Sequence, residues 1–188
     1  MIKYAGLAFL LSAAFAGGAY AQPYEVDSQK SSITFSGVHA GNGFSGVFKT
    51  WQAEVDFDPE DLAGSTIRTT IQTTTAHTGN KMYDGTLPTP DWFDVKNHPE
   101  AIFESQTIAH KEGDVYTVDG ILTIREQAVP VSFDVLLPED DLAKGQIETA
   151  FSIELDRLAF DIGKKSDAAA EWVSQNIGLE VKLHASRK

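Results

Sequence analysis

AVPVSFDVLL, residues 128–137, alternates without a break. Val129, Val131, Phe133, Val135 and Leu137 share one face, and Pro130, Ser132 and Asp134 lie on the other. Successive side chains of an extended chain point to opposite faces, so this period of two marks a strand with one side against a core. QIETAFSIEL (146–155) repeats it, setting Ile147, Thr149, Phe151, Ile153 and Leu155 against Gln146, Glu148, Ala150, Ser152 and Glu154. NIGLEVKLHA (176–185) does the same with Ile177, Leu179, Val181 and Leu183.

Outward from these three, runs rich in Thr, Ile, Val and Phe at 31–38, 44–57, 65–75, 100–110 and 114–125 bring the expected strands to about eight. Gly, Asp and Pro turns separate most of them: Gly41-Asn42-Gly43, Asp58–Asp61, Lys111–Asp114 and Pro138–Gly145. Two stretches interrupt the meander. The first is 76–99, crowded with turn residues yet carrying Met82, Tyr83, Leu87, Trp92 and Phe93, which are costly to leave in water. The second is 157–172, where Ser166 is placed to cap a short helix over Asp167–Trp172. Eight antiparallel strands must hide their edges, and closure into a barrel does so completely. The fold class expected is all-β: an eight-stranded antiparallel barrel with short helical lid segments.

The first 21 residues stand apart. One early charge (Lys3), an apolar run from Ala5 to Ala16 and small residues ending in Ala19-Tyr20-Ala21 predict a secretory signal peptide, 1–21, cleaved before Gln22. A membrane anchor fits less well, because the apolar run is shorter than the ~20 residues a span requires. The remainder, 22–188, reads as one exported domain. The formal net charge is −12, and losing Lys3 makes it one unit more negative. A polyanionic partner is therefore disfavoured: nucleic-acid binding rests on neutralising phosphates. With no cysteine, disulfides, thiolate metal sites and cysteine nucleophiles are closed.

The interior of an eight-stranded barrel either packs solid or holds one small ligand. Large inward candidates are Ile33, Phe35, Phe48, Ile71, Phe103, Leu122, Phe133, Phe151 and Ile153, set against small Ser105, Gly120, Thr69 and Thr73. A tube with gaps needs such small residues and a solid core of this size does not, although tapered barrels also alternate large and small.

Four blocks carry a family resemblance. YEVDSQKSSITFSGVHAGNGFSGVF (24–48) is similar to the opening of the YceI-like family at Tyr24, Asp27, Ser31, His39, Gly46 and Phe48. Residues 84–105 resemble its aromatic-Phe-Asp-Val block at Trp92, Phe93, Asp94, Val95, Pro99, Phe103 and Ser105. YTVDGILTI (116–124) resembles its Gly-x-Leu-Thr signature at Gly120, Leu122 and Thr123, and LDRLAFDIG (155–163) its Arg-x-x-Phe-x-Ile-Gly at Arg157, Phe160, Ile162 and Gly163. One departure is the turn after Thr123-Ile124, where Arg125-Glu126-Gln127 replaces a glycine-containing turn.

The resemblance implies a lipocalin-like barrel, 22–188, enclosing a long-chain lipid of isoprenoid, quinone-like or fatty-acid-like type, and a binding or carrier role without catalysis. The ligand-binding residues expected are Phe35, His39, Phe48, Ile71, Met82, Trp92, Phe93, Phe103, Leu122, Phe133, Phe151 and Ile153. His39 is the candidate for a polar head group, although it also reads as a loop histidine bonded to local backbone. Trp92 and Phe93 either plug the barrel end or face its contents, and Met82 suits a site that adapts to a flexible chain. Arg157 is expected to pair with Asp156, Asp161 or an acidic head group. No cofactor or metal is expected, and no nucleic acid or stable membrane insertion; homodimerisation is left open.

The alternatives are an enzyme acting on such a lipid through His39 or His77 with a carboxylate, an accessory to a membrane redox or stress system, and an outer-membrane barrel. The last is disfavoured because Asp134, Glu148, Glu154, Glu180 and Lys182 occupy the faces that would meet lipid. The acidic stretch 56–62 lacks the sharp-turn glycine of a calcium loop and reads as a solvated turn.

Overall fold

Alternating β-branched and aromatic residues make strands of most of the chain in the computed structural model, which describes residues 22–188. The expected signal peptide lies outside the described residues. The strands are β1 (Gln22–Val26), β2 (Ser32–His39), β3 (Asn42–Phe48), β4 (Trp51–Phe57), β5 (Thr66–Gln72), β6 (Ala76–His77), β7 (Glu100–Glu112), β8 (Val115–Ile124), β9 (Gln127–Leu136), β10 (Gln146–Asp156) and β11 (Asn176–Arg187). Two short helices join them, α1 (Lys81–Thr86) and α2 (Glu139–Ala143), with 3-10 turns at Thr73–Thr75 and Arg157–Phe160.

All pairings are antiparallel and form one sheet in the order β6-β3-β2-β11-β1-β4-β5-β7-β8-β9, with β10 on the other side of β11. β1 and β2 pair with successive lengths of the same edge of β11, at 185–187 and 178–182. Between them the chain bends at 27–31, where Asp27 N–H donates to the His184 carbonyl and the Ser31 hydroxyl accepts from His184 N–H. β3 and β4 are likewise halves of one path, bent at Lys49-Thr50 and pinned there by Thr75. Counted as bent paths the strands number eight. The expected single strand 44–57 is thus two, and β1 was not foreseen.

The expected closure into a barrel is not made by hydrogen bonds. Among the described residues β9 pairs with β8 alone and β10 with β11 alone, so these two are the edges of the curled sheet there. Two features explain this. Pro130 sits within β9 and has no N–H to give to a further strand, which confines it to an edge. The connection from β9 to β10 is a loop carrying α2 and not a tight hairpin. In place of a ladder, Phe133 of β9 and Phe151 of β10 stack in parallel with ring centroids 4.4 Å apart.

The small residues do something other than leave gaps. A Cβ on Gly120 would come within 2.6 Å of the Phe103 ring, and one on Gly46 within 2.3 Å of the Phe35 ring. Each glycine lets a ring from the neighbouring strand lie flat on the sheet. Thr73 is buried and donates to the His98 carbonyl, and the Ser105 hydroxyl accepts from Ile67 N–H beside a β-bulge. Only Thr69 of the four faces the interior space.

The expected helix over 167–172 does not form. Ser166 turns its hydroxyl to the Asp91 carboxylate instead of capping (2.6 Å), and Asp167 organises an irregular loop by accepting N–H bonds from Glu171, Trp172 and Val173. The one-turn helical element here is the 3-10 turn at Arg157–Phe160, capped by Asp156. At the 125–126 turn, Arg125 takes the left-handed backbone (φ 57°) and donates to the carbonyls of Asp161 and Pro90, anchorage that offsets the strain of a non-glycine residue there.

Candidate functional site

The inner face of the sheet is filled unevenly. Ile33, Phe35, Val55, Phe57, Ile71, Phe103 and Leu122 are buried, whereas on the facing strands β9, β10 and β11 Val131, Phe133, Phe151, Ile153, Leu179 and Val181 are only half-buried, and Val135, Ile147 and Thr149 are buried. The wall on that side has too little side chain across from it. Three adjoining chambers result. A mouth chamber and a middle one share Phe35, Phe44, Leu87 and Trp92. A deep chamber shares Ile71, Leu122 and Leu179 with the middle one. The shared side chains form the constrictions between chambers.

All twelve expected site residues line this space. His39, Met82 and Trp92 stand at the mouth, with Phe35 on its inner boundary. Phe48, Phe93 and Leu122 line the middle, and Ile71, Phe103, Phe133, Phe151 and Ile153 the deep chamber. Phe93 and Phe48 also pack edge to face at 6.0 Å, so the aromatic pair at 92–93 both closes the core and borders the cavity. Trp51, Val173, Phe44 and the oily face of β11 also line the space, although the sequence pattern does not mark them as site residues.

The segment 78–95 forms the roof of the mouth. Asn80 caps α1 by accepting from Met82 N–H at 2.9 Å, which turns Met82 outward, 59 % exposed, and Tyr83 inward. Tyr83 meets His39: hydroxyl and Nδ1 are 3.0 Å apart and the rings edge-to-face at 5.4 Å. His39 thus bonds a lid side chain and not local backbone. Asp84 ties the lid down, accepting from Thr78 N–H and hydroxyl (both 2.7 Å) and facing His77 Nδ1 at 2.8 Å. The Thr78 backbone bond, then its hydroxyl, hold the Asp84 carboxyl below its ordinary pKa and outweigh the opposing effect of burial. His77 is outside the residues that line the mouth, so this His–carboxylate pair serves the lid.

Below the mouth, Arg157 is a buried cation, 3 % exposed. Its partner is Asp167 (2.7 Å), not Asp156 or Asp161. It also donates to the carbonyls of Ser174, Ile162, Asp167 and Val173, and its guanidinium lies 5.8 Å from the Trp92 ring centre. Each of its three guanidinium nitrogens donates to a protein acceptor, so Arg157 is paired inside the protein. Burial pushes the Asp167 pKa up, but the N–H donors of Val173, Trp172 and Glu171 together with Arg157 outweigh it and hold the carboxyl below its ordinary range. Asp91 links the two loops, accepting from Lys165 N–H, Ser166 N–H and the Ser166 hydroxyl. The outer face is polar, with Asp134, Glu148, Glu154, Glu180 and Lys182 all exposed.

The pattern of the YceI-like domain matches residues 24–185. A UPF0312 protein of Photorhabdus laumondii is 31% identical over 169 residues, covering 85% of this chain and 88% of its own. One from Serratia proteamaculans is 33% identical over 133 residues, with 69% and 67% covered. Among solved structures, BcnA of Burkholderia cenocepacia superposes with a TM-score of 0.79 at 29% identity, covering 86% of this chain and all of BcnA. A polyisoprenoid-binding domain of Saccharophagus degradans shares the fold, with a TM-score of 0.69 at 12% identity and 89% and 99% covered.

Proposed function

Because the chain belongs to the YceI-like domain family, we propose that it is a periplasmic binding or carrier protein that holds one long-chain apolar lipid along its three chambers. The supporting observation is the under-filled inner wall: Phe133, Phe151, Ile153, Leu179 and Val181 line space without being buried by protein. Covering about 400 Å² of hydrocarbon at ~25 cal/mol/Å² is worth roughly 10 kcal/mol. Immobilising a flexible chain cancels several kcal/mol of that, leaving about 5.5–7 kcal/mol, a Kd of roughly 10–100 μM. The polyisoprenoid-binding neighbour supports the chemical class at the level of the fold.

In the loaded state the sheet acts as a closed, lipocalin-like barrel of eight bent strands, with the Phe133–Phe151 stack sealing the seam where no ladder runs. Binding is favoured over catalysis by the site's content. The imidazole at the mouth is engaged by Tyr83, and the His77–Asp84 pair belongs to the lid. Export rests on the sequence of residues 1–21, and the expected mature terminus is Gln22.

The test is mass spectrometry of an organic extract of protein purified from the periplasm of its native host, with N-terminal sequencing of the same sample. A long-chain lipid near one equivalent and a first residue of Gln22 are expected. No lipid, together with no uptake of added isoprenoid, would contradict the binding role; recovery from the cytoplasm with residues 1–21 intact would contradict export.

A further inference from the structure

Two threonines interrupt the otherwise apolar set of residues that line the deep chamber. Thr69 on β5 and Thr149 on β10 line it from opposite walls of the curled sheet, among Ile, Val, Leu and Phe side chains. Thr149 is 9 % exposed, and its Oγ1 is the one buried side-chain polar atom without a hydrogen-bond partner among the described residues. A buried hydroxyl left unpaired is costly, and valine would fill the same volume without that cost. The polar pair at the mouth differs, because His39 Nδ1 and the Tyr83 hydroxyl are bonded to one another. Thr149 lies at the far end: it is about 20 Å along β10 from Leu155 in the middle chamber, at the ~3.3 Å rise of a strand.

Resting on the binding role proposed above, we infer that the ligand carries a hydrogen-bonding oxygen, a hydroxyl or carbonyl, at its buried end, and that Thr149 is its partner. The lipid lies polar end inward, with its hydrocarbon chain running up through the middle chamber toward Met82. Thr149 both donates and accepts, so either oxygen type completes it. Val181 and Leu183 beside it on β11 hold the chain that follows.

The experiment uses geranylgeraniol and the hydrocarbon that lacks only its hydroxyl, each titrated into delipidated full-length mature protein by competition with a bound fluorescent fatty-chain probe. Thr149→Val keeps the shape and removes the hydroxyl. It is expected to weaken the alcohol about fivefold, the size of one net hydrogen bond, and to leave the hydrocarbon unchanged or slightly tighter, whereas Thr149→Ser retains alcohol binding. In the wild-type protein, nuclear Overhauser contacts from the carbinol protons are expected at Thr149 and Leu183 and not at Met82. Equal effects of Thr149→Val on both ligands, or carbinol contacts at Met82 and Tyr83, overturn the inference and leave the binding role standing. If Thr149→Val does not fold, the wild-type contacts decide alone. If neither ligand displaces the probe or gives contacts, both the inference and the binding role fall.

Discussion

Replacing Arg157 by methionine removes a cation and leaves its surroundings in place. Methionine has a similar reach and no charge. What remains is the Asp167 carboxylate, 8 % exposed and without its counter-ion, and the carbonyls of Ile162, Val173 and Ser174 without their donor. Breaking a buried ion pair from one side costs about 3–5 kcal/mol. With a urea m-value of about 2 kcal/mol/M for a domain of this size, the midpoint should fall by roughly 1.5–2.5 M. Urea unfolding followed by tryptophan fluorescence reports this, and Trp92 against the guanidinium is a local probe. The double variant Arg157→Met with Asp167→Asn should recover about 1–2 kcal/mol, because no charge is then stranded; the Asn carbonyl still accepts from Glu171 and Trp172 N–H, while the Val173 N–H loses its acceptor. A midpoint drop below about 0.5 M for Arg157→Met, or no recovery in the double variant, would refute the assignment of Arg157 as the buried anchor of the 157–175 loop.

Acid should loosen the same loop. The folded-state pKa of Asp167 is below its unfolded value near 3.9, so its contribution is complete above about pH 4 and is lost as pH falls through the folded value. Unfolding titrations at pH 7 and pH 3 should show a smaller acid loss in Asp167→Asn than in wild type; an equal loss would discount it. Gly46→Ala puts a methyl group into the Phe35 ring and should cost about 1–3 kcal/mol by calorimetry, a penalty that a thermally neutral variant would disprove. Leu179→Trp fills the constriction between the middle and deep chambers. It should lower affinity for geranylgeraniol at least tenfold while unfolding stays cooperative, and unchanged affinity would show that the ligand does not pass Leu179.

Much of the architecture was written in residue periodicity, and what was not has physical reasons. Alternation located the eight strand paths because each has one oily face. The bends were also encoded, in a subtler form: inward residues are even-numbered through Phe44 and Phe48 and odd-numbered from Trp51 to Phe57, a change of parity that places the break at Lys49-Thr50. A similar switch separates Phe103 from Ile108 at the bulge in β7. Pro130 stated that β9 is an edge, which alternation alone could not. The role of the glycines was misjudged because an empty position in sequence is filled in space by a ring from the next strand. The Arg157 partner was not legible: four nearby acidic residues compete in sequence, and only the loop path selects Asp167. The site residues were legible as a class, apolar and inward-facing, while the unpaired Thr149 hydroxyl is visible only once its neighbours are in place.

The most direct measurement is native mass spectrometry of delipidated mature protein titrated with geranylgeraniol. One saturable adduct per chain is expected, lost in Leu179→Trp. No adduct, or an unsaturable ladder shared equally by wild type and Leu179→Trp, would contradict a single lipid held in the lumen.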